Sequence, residues 1–329
     1  MCVNAGQYYC DQARGRRQLV VNPPQSKSLI IKSFEWKDLD ILLGLENQLR
    51  IADGETGPIT KTALAEQLRQ PHVDVDRDIL LCLQDNQLRA TSLICYEPRI
   101  DRAILDIKGT SGFLGSNLVY DLLAAALEKV KNLEVSTLDF LPPPQIPIEI
   151  LTDKCNFYRE HTYLKMRWAP RNLLEPTLPG NYSMRSYGSP GDDQALTTIQ
   201  NSSFGGSFNF SPNSLEEISY RANMSNTSHS GIIFLIHQDN IAGYNWTLTM
   251  PIINGIKGII SMIGIDPFYR GQGLGKPLLV AGLKHLVSIG ASFVELEVDE
   301  SNEAAIRLYK SMGFESIHRL HWFHLPIKP

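Results

Sequence analysis

The sequence predicts an α/β fold, in which two tandem domains each hold a mixed, mostly antiparallel central sheet flanked by helices. The chain has 329 residues, about the length of two average domains. Hydrophobic residues make up 43% of it and charged residues 20%, as in proteins that bury sizeable cores. Segments with strand periodicity and segments with helix periodicity follow each other in the same order in both halves.

Proline and glycine mark the boundary between the two halves. Pro170, Pro176, Pro179 and Gly180 lie between two regions of regular periodicity, which is typical of an interdomain linker. The first residues of the chain are polar and lack a periodic apolar pattern. We therefore expect a poorly ordered tail over residues 1–26, a first domain over 27–168, a linker over 169–180 and a second domain over 181–329.

The second half should begin with a strand and two helices, followed by an antiparallel meander. Turn residues separate the strands of the meander. The strands are predicted at 182–187, 231–237, 241–250 and 256–265, and the two helices near 192–200 and 214–222.

A third helix, a strand, a fourth helix and a final pair of strands should complete this half. The third helix is expected over 278–289, with Gly290 as a left-handed cap. The next strand is predicted at 293–298 and the fourth helix over 301–313. The apolar positions of the two helices are Leu279, Leu283, Leu286 and Val287 in the third and Ala305, Leu308 and Met312 in the fourth.

The first half repeats this order of elements. Its strands are predicted at 29–32, 79–83, 90–96 and 103–107, and a strongly amphipathic helix follows. A shift of 157 residues superposes Leu122 on Leu279, Leu151 on Leu308 and Phe157 on Phe314. An ancient duplication explains this agreement better than a chance match of apolar positions, because the element order agrees too.

Charge and cysteine content exclude several classes of function. The formal net charge is −4, and lysine and arginine are scattered, so we expect no nucleic acid partner. The first residues lack the apolar stretch of a signal peptide, and the sequence has no apolar run of 18 residues, so we expect neither a leader nor a membrane span. Five cysteines without metal-like spacing favour free thiols in a reducing compartment. We therefore expect a cytoplasmic protein without a membrane partner, either a monomer or a homodimer.

A glycine-rich segment between a strand and a helix predicts an anion-binding site. Glycines let the backbone approach a phosphate, and the free N–H groups of a helix N-terminus favour negative charge. The dinucleotide motif is excluded because Lys276 stands where its third glycine belongs, and the P-loop is excluded by Arg270 and Pro277.

Two motifs lie in the second half. Arg270, Gly273 and Gly275 fit the pattern R-x-x-G-x-G, and residues 296–314 fit the pattern L-x-V-x-x-x-N-x-x-A-x-x-L-Y-x-x-x-G-F. Both patterns resemble the signatures of the GNAT superfamily of N-acetyltransferases. The Leu-Glu-Val segment at 296–298 is also similar to ribosomal-protein alanine N-acetyltransferases, and the tandem arrangement resembles the mycothiol synthase family.

The resemblance implies an acetyl-CoA-dependent N-acetyltransferase that transfers acetyl directly to an amine, without a metal. Tyr309 would protonate the departing CoA thiolate, and Glu297 or a water would act as the base. Tyr309 is one residue beyond Leu308 and should therefore turn off the core face towards a cleft. The residues expected to bind acetyl-CoA are Ile263, Gly264, Ile265, Arg270, Gly271, Gln272, Gly273, Leu274, Gly275, Lys276, Asn302 and Ala305.

The nature of the amine acceptor stays open in the sequence. A small molecule is favoured by the duplicated architecture, and a protein N-terminus is favoured by the Leu-Glu-Val segment. A non-catalytic acyl-CoA sensor would keep the glycines but would need no acid. Ile259 stands where mycothiol synthases carry a glutamate, which argues against mycothiol as the acceptor.

The first half lacks the chemical residues of the second. At the shift of 157, the counterparts of Arg270, Gly273, Gly275, Asn302 and Tyr309 are Phe113, Ser116, Leu118, Gln145 and Thr152. We therefore expect a structural role for this half, covering the second domain or walling the acceptor cleft. His318, His321 and His324 alternate along a predicted strand and should not converge on a metal.

Overall fold

The computed structural model describes residues 28–54, 56–173, 177–208 and 210–327, and the expected tail over 1–26 lies outside them. In the first half the strands are β1 (Leu29–Ser33), β2 (Ile79–Gln84), β3 (Gln87–Glu97), β4 (Arg102–Gly109), β5 (Thr137–Phe140) and β6 (Tyr158–Trp168). The helices are α1 (Leu39–Ala52), α2 (Lys61–Leu68), α3 (Val75–Asp78), α4 (Ser111–Leu114) and α5 (Val119–Lys131), and a short π-helix spans Ile150–Lys154.

The second half follows the same order. Its strands are β7 (Tyr182–Ser186), β8 (Thr227–His237), β9 (Asn240–Ile252), β10 (Gly255–Ile265), β11 (Ala291–Asp299) and β12 (Glu315–Pro326). Its helices are α6 (Asp192–Phe204), α7 (Leu215–Ala222), α8 (Gly275–Ser288) and α9 (Glu303–Ser311). The predicted mixed α/β fold and the repeated order are therefore confirmed. The predicted final pair of strands is wrong, because residues 315–326 form one long strand.

All these strands join one sheet of twelve strands in the described part of the chain. Their order is β1-β2-β3-β4-β5-β12-β6-β11-β10-β9-β8-β7. Both halves contain one parallel pair, β4 with β5 and β10 with β11, among otherwise antiparallel neighbours.

The two halves exchange their last strands. Strand β6 of the first half pairs with β11 of the second, where Lys165 lies opposite Glu297. Strand β12 of the second half pairs with β5 of the first, where Phe323 lies opposite Phe140. The exchanged strands also pair with each other in the middle of the sheet. Each half therefore completes the sheet of the other.

The sheet carries apolar clusters on both faces. Helix α8 packs on Val294 of β11 and on Trp168, which the exchanged strand β6 contributes. Helices α6 and α7 pack on the opposite face of the second half, around Tyr244 and Trp246. The first half repeats this with α5 on one face and α1 and α2 on the other. No helix in the described ranges has the length and hydropathy needed to span a membrane.

The helix faces agree with the sequence analysis in most positions. Leu122 and Leu279 are fully buried at equivalent places in α5 and α8. Val287, predicted on the apolar face of α8, is instead 39% exposed at the end of the helix. Gly290 follows α8 with φ of 84°, as a left-handed cap requires.

Candidate active site

Strands β10 and β11 separate halfway along their length. They pair in parallel from Ile256 opposite Ala291 to Ile259 opposite Glu295, and no pairing continues beyond these positions. Strand β10 keeps its antiparallel pairing with β9 as far as Ile265. A gap therefore opens between the carboxyl ends of two neighbouring strands.

Backbone donors of β10 line this gap. Asp266 donates its N–H to the carbonyl of Ala242 at 2.9 Å, which makes this position a hydrogen-bonded pair with β9. Because such pairs alternate along an antiparallel ladder, the N–H groups of Ile263 and Ile265 point away from β9. They face the gap that β11 leaves open, where an acceptor oxygen could bind.

The glycine-rich turn forms the outer end of the gap. Gly271 and Gly273 have φ angles of 77° and 74°, in the left-handed region that glycine tolerates best. Helix α8 begins at Gly275, and no side chain caps its N-terminus at Leu274. Its first N–H groups and the positive end of its dipole are therefore available to an anion.

The two cations of the motif behave differently. Arg270 donates from Nε to the carbonyl of Ile265 at 3.1 Å and from Nη2 to the carbonyl of Ser203 at 2.7 Å. Its guanidinium therefore connects the turn to the end of α6 and fixes the conformation of the turn. Lys276 is exposed in the first turn of α8, where its ammonium can meet an anion. Gln272 accepts a hydrogen bond from the Tyr182 hydroxyl at 2.8 Å.

The close approach of α6 to β10 depends on Gly264. A Cβ atom at this position would lie 2.6 Å from Cβ of Ser203 and 3.1 Å from the Phe204 ring. Only glycine lets the helix pack against the strand beside the gap. Leu274 is buried with Leu278 under the turn and anchors it to the core.

Helix α9 borders the gap on the other side of β11. Asn302 is the N-cap of this helix, and its Oδ1 accepts a hydrogen bond from the N–H of Ala305 at 3.1 Å. Asn302 is exposed and Ala305 is half-buried against the cluster around α8. Their predicted contact with acetyl-CoA stays a prediction, while the cap alone explains the asparagine.

Tyr309 is buried, and the expectation that it turns off the core face is wrong. Its residue surface is 7% exposed, and its ring lies 5.7 Å from that of Phe314. Ala305 and Tyr309 lie one helical turn apart, so the buried stripe of α9 includes the tyrosine. Burial raises the pKa of the Tyr309 hydroxyl to about 12, which keeps it protonated at neutral pH.

The two glutamates of β11 share one face but not one environment. Glu295 is buried and forms ion pairs with Lys165 at 3.3 Å, Arg167 at 2.6 Å and Lys257 at 3.2 Å. Burial alone would raise its pKa, but these cations lower it on balance. Glu297 is exposed and lies on β11 two residues beyond its last pair with β10. Nearby protein atoms desolvate its carboxyl and raise its pKa.

A histidine and an aspartate next to Glu297 were missed by the sequence analysis. His161 of β6 bonds through Nε2 to Oδ2 of Asp299 at 2.6 Å, and its ring stacks on Phe208 with centroids 4.0 Å apart. The Tyr163 hydroxyl donates to the carbonyl of Phe208 at 3.3 Å. The partners lie 138 residues apart, so no local motif joins them.

The histidines of β12 have separate partners. His321 bonds through Nδ1 to the Thr162 hydroxyl at 3.1 Å. His324 bonds through Nδ1 to Asp139 at 2.7 Å and lies 3.1 Å from Glu160. Asp139, Glu160 and His324 each offer an atom of the kind that binds metals, and these atoms lie within 4.8 Å of one another. Asp139 also pairs with buried Arg102, which already offsets its charge.

Comparison with known proteins finds similarity to GNAT acetyltransferases in the second half. Residues 194–314 match the model of the acetyltransferase (GNAT) family. A mycothiol acetyltransferase from Thermobispora bispora is 33% identical over 145 residues, which cover 43% of this chain and 49% of that protein. One from Segniliparus rotundus is 33% identical over 153 residues, covering 45% and 57%. The chain thus spans about half the length of the curated relatives it matches.

Solved structures share the whole fold. A GCN5-related N-acetyltransferase from Sphaerobacter thermophilus superposes with a TM-score of 0.70 at 18% identity, covering 92% of this chain and 96% of that one. A tandem GNAT protein from the clavulanic acid biosynthesis pathway superposes with a TM-score of 0.69 at 17% identity, covering 92% and 99%. The tandem GNAT-like architecture predicted from the sequence is confirmed by this similarity.

Proposed function

We propose that this chain, whose residues 194–314 match the GNAT family, transfers an acetyl group from acetyl-CoA to an amine. One observation carries the proposal: the gap between β10 and β11 ends at an uncapped helix N-terminus and a glycine-rich turn. The pantetheine arm of acetyl-CoA needs an open gap, and its pyrophosphate needs a helix N-terminus and a turn with free N–H groups. Acetyl-CoA supplies the activated acetyl group as a thioester.

Several residues of the predicted site then receive a role. The N-terminus of α8 with residues 271–276 would hold the pyrophosphate, and Lys276 would add a positive charge. The N–H groups of Ile263 and Ile265 would hold the thioester oxygen, where one donor contributes about 3–4 kcal/mol to the transition state. Tyr309 would protonate the thiolate, for which its raised pKa is suited because the hydroxyl keeps its proton at neutral pH.

A base must also take a proton from the acceptor ammonium. Two side chains near the gap can accept it: Glu297, the candidate from the sequence, and His161, which bonds to Asp299. Desolvation raises the pKa of the Glu297 carboxyl, so its carboxylate accepts a proton more readily than that of an ordinary glutamate.

The acceptor is best supported as a small molecule. A cavity of about 420 Å³ lies between the two halves, lined by Tyr96, Arg99, Glu217 and Arg221 among others. Clefts between domains are favoured sites for small ligands. The relatives named mycothiol acetyltransferase make a mycothiol-like amine the first compound to test. Ile259 argues against mycothiol itself, and peptide N-termini are the second class.

Acetyl-CoA turnover measured by thiol release tests the proposal. We expect turnover only with an acceptor amine present, and a fall of about 10²–10⁴ in kcat for Tyr309→Phe because the general acid is lost. The matched control is Thr152→Ala, the equivalent position of the first half, where the hydroxyl bonds, among the described residues, to its neighbours Ile148 and Asp153. Tight acetyl-CoA binding without turnover on any amine would instead identify a sensor.

A further inference from the structure

The contact between His161 and Asp299 has the geometry of an oriented base. Nε2 of His161 donates to Oδ2 of Asp299 at 2.6 Å, and the other oxygen of this aspartate accepts from the N–H and the hydroxyl of Ser301, each at 2.7 Å. Stacking on Phe208 fixes the plane of the imidazole. Nδ1 has no partner among the described residues, and the side chain is 25% exposed. The free nitrogen therefore carries a lone pair that a ligand can reach.

The pair lies at the carboxyl end of β11, where the gap is open. Asp299 is four residues beyond Glu295, the last residue of β11 that pairs with β10. Parallel strands have their carboxyl ends at one edge, so the pair is on the same edge as Ile263 and Ile265. Residues 297 and 299 share one face of β11, whereas Val298 faces the cluster that holds Tyr309. The acid and the histidine thus flank β11 from opposite faces.

Several charged and titratable groups surround His161. Asp299 and Glu297 face it from β11, Tyr163 and Lys165 are its neighbours on β6, and His321 lies beyond Thr162 on β12. Arg102 reaches this region from β4. Burial alone would raise the pKa of Asp299, but hydrogen bonds from Ser301 and His161 lower it on balance. The aspartate therefore stays ionised and holds one tautomer of the imidazole.

We propose that His161 is the catalytic base of the acetyl transfer, and that Asp299 is its positioning residue. The inference rests on the proposed function. Nδ1 of His161 accepts a proton from the acceptor ammonium, which frees the nitrogen lone pair. The amine attacks the thioester carbon, a C–N bond forms, and the C–S bond breaks. Tyr309 gives its proton to the thiolate sulfur and regains one from the new amide nitrogen, and His161 releases its proton to solvent.

This assignment gives the first half a direct part in the reaction. His161 belongs to β6, the strand that the first half inserts beside β11. Glu297 is the competing base, but it has no hydrogen-bond partner among the described residues to orient its carboxyl. A base held by a third group is the arrangement that catalytic sites favour.

A pH profile of the His161→Gln variant tests the proposal in the full-length chain, with the amine that gives the fastest turnover as acceptor. We expect kcat/KM at neutral pH to fall by about 10²–10³, with recovery at alkaline pH, where the amine loses its proton unaided. Tyr309→Phe should lose activity at every pH. The matched control is His321→Gln, a nearby histidine of β12 that hydrogen-bonds to Thr162 in the described part of the chain and should keep kcat/KM within about twofold.

Asp299→Asn provides a second variant in case the first disturbs folding. An amide donates to Nε2 as readily as it accepts, so the wrong tautomer of His161 is favoured and the same loss at neutral pH is expected. Two results would overturn the role of His161 and leave the acetyltransferase proposal intact. One is full activity of both variants at neutral pH. The other is a kcat/KM that no longer falls at acidic pH in Glu297→Gln and in no other variant. A wild-type chain without amine-dependent turnover would overturn both.

Discussion

The two halves place the same elements in the same order and differ most at the turn after their fourth strand. In the first half, β4 leads into the short helix α4, where Phe113 and Leu114 are buried in the core. The hydroxyl of Ser116 then accepts the N–H of Leu118 before α5 begins. In the second half the turn contains Gly271 and Gly273, which have no side chains, and no side chain caps the start of α8. The backbone N–H groups there are available to a ligand. The difference between the halves lies in the turn, because α5, like α8, has no side-chain cap at its N-terminal residue.

The helix that follows the fifth strand differs in the same way. In the second half it is α9, with buried Tyr309 on its inner side. Its counterpart in the first half is a π-helix of five residues, in which the Thr152 hydroxyl bonds to the carbonyl of Ile148. The first half therefore has no acid at this position.

The parallel pair also differs between the halves. Strand β5 pairs with β4 over its whole length, Thr137–Phe140, and then ends, whereas β11 continues to Asp299 beyond its last pair with β10. The gap between two continuing strands is therefore a feature of the second half. Function depends on what lines the gap, which here is the glycine turn, α9 and the exchanged strand β6.

The largest expected effect concerns the exchanged strands. Trp168 of β6 is fully buried in the second half, and Phe140 of β5 is fully buried in the first. We expect Trp168→Ala and Phe140→Ala each to lower the free energy of unfolding by about 3–5 kcal/mol. Because the halves share one sheet, both should shift the same single transition in urea. Two transitions, each moved by only one of the variants, would show that the halves unfold independently.

A smaller effect is expected at the turn that distinguishes the halves. Gly273 and Gly112 both have open space where a Cβ would be added, but only Gly273 has a positive φ. Gly273→Ala should cost about 1–2 kcal/mol of local strain, and we expect the KM for acetyl-CoA to rise by about tenfold. Gly112→Ala, in α4 of the first half, should leave this KM unchanged. Equal KM values for the two variants would argue against a cofactor site at the turn.

Much of the fold was predictable because periodicity and turn residues act locally. The meander, the helix α8 with Gly290, and the repeat at a shift of 157 residues were all evident in the sequence. The strand exchange was not, because an edge strand carries no local signal of which partner it joins. The same holds for His161 and Asp299, which meet only through that exchange.

The site was predictable where its chemistry is local. The glycine turn follows from its own spacing, and it lies beside the gap as expected. The orientation of Tyr309 was not, because the apolar face of α9 was assigned from aliphatic residues alone. A tyrosine four residues after Ala305 can occupy the same buried stripe, and its ring contributes more apolar area than either neighbour.

The smallest effect concerns the thiols, which all lie in the first half of the sequence. Burial raises the pKa of Cys82 to about 12, and burial together with Asp106 and Glu97 raises that of Cys95 to about 12. Burial also raises the pKa of Cys155. Since only the thiolate reacts, native alkylation of Cys82 and Cys95 at neutral pH should be about 10³-fold slower than for a free cysteine, and alkylation of Cys155 should also be slower.

Alkylation of a Cys2→Ser/Cys10→Ser variant, followed by mass spectrometry, checks this expectation and separates the halves chemically. We expect no modification of the three remaining thiols before unfolding in urea and complete modification afterwards. Turnover should survive native treatment, because direct transfer to the amine uses no cysteine nucleophile. Rapid native labelling that also stopped turnover would mean that a thiol of the first half takes part in the reaction, and the contrast between a chemical and a structural half would fail.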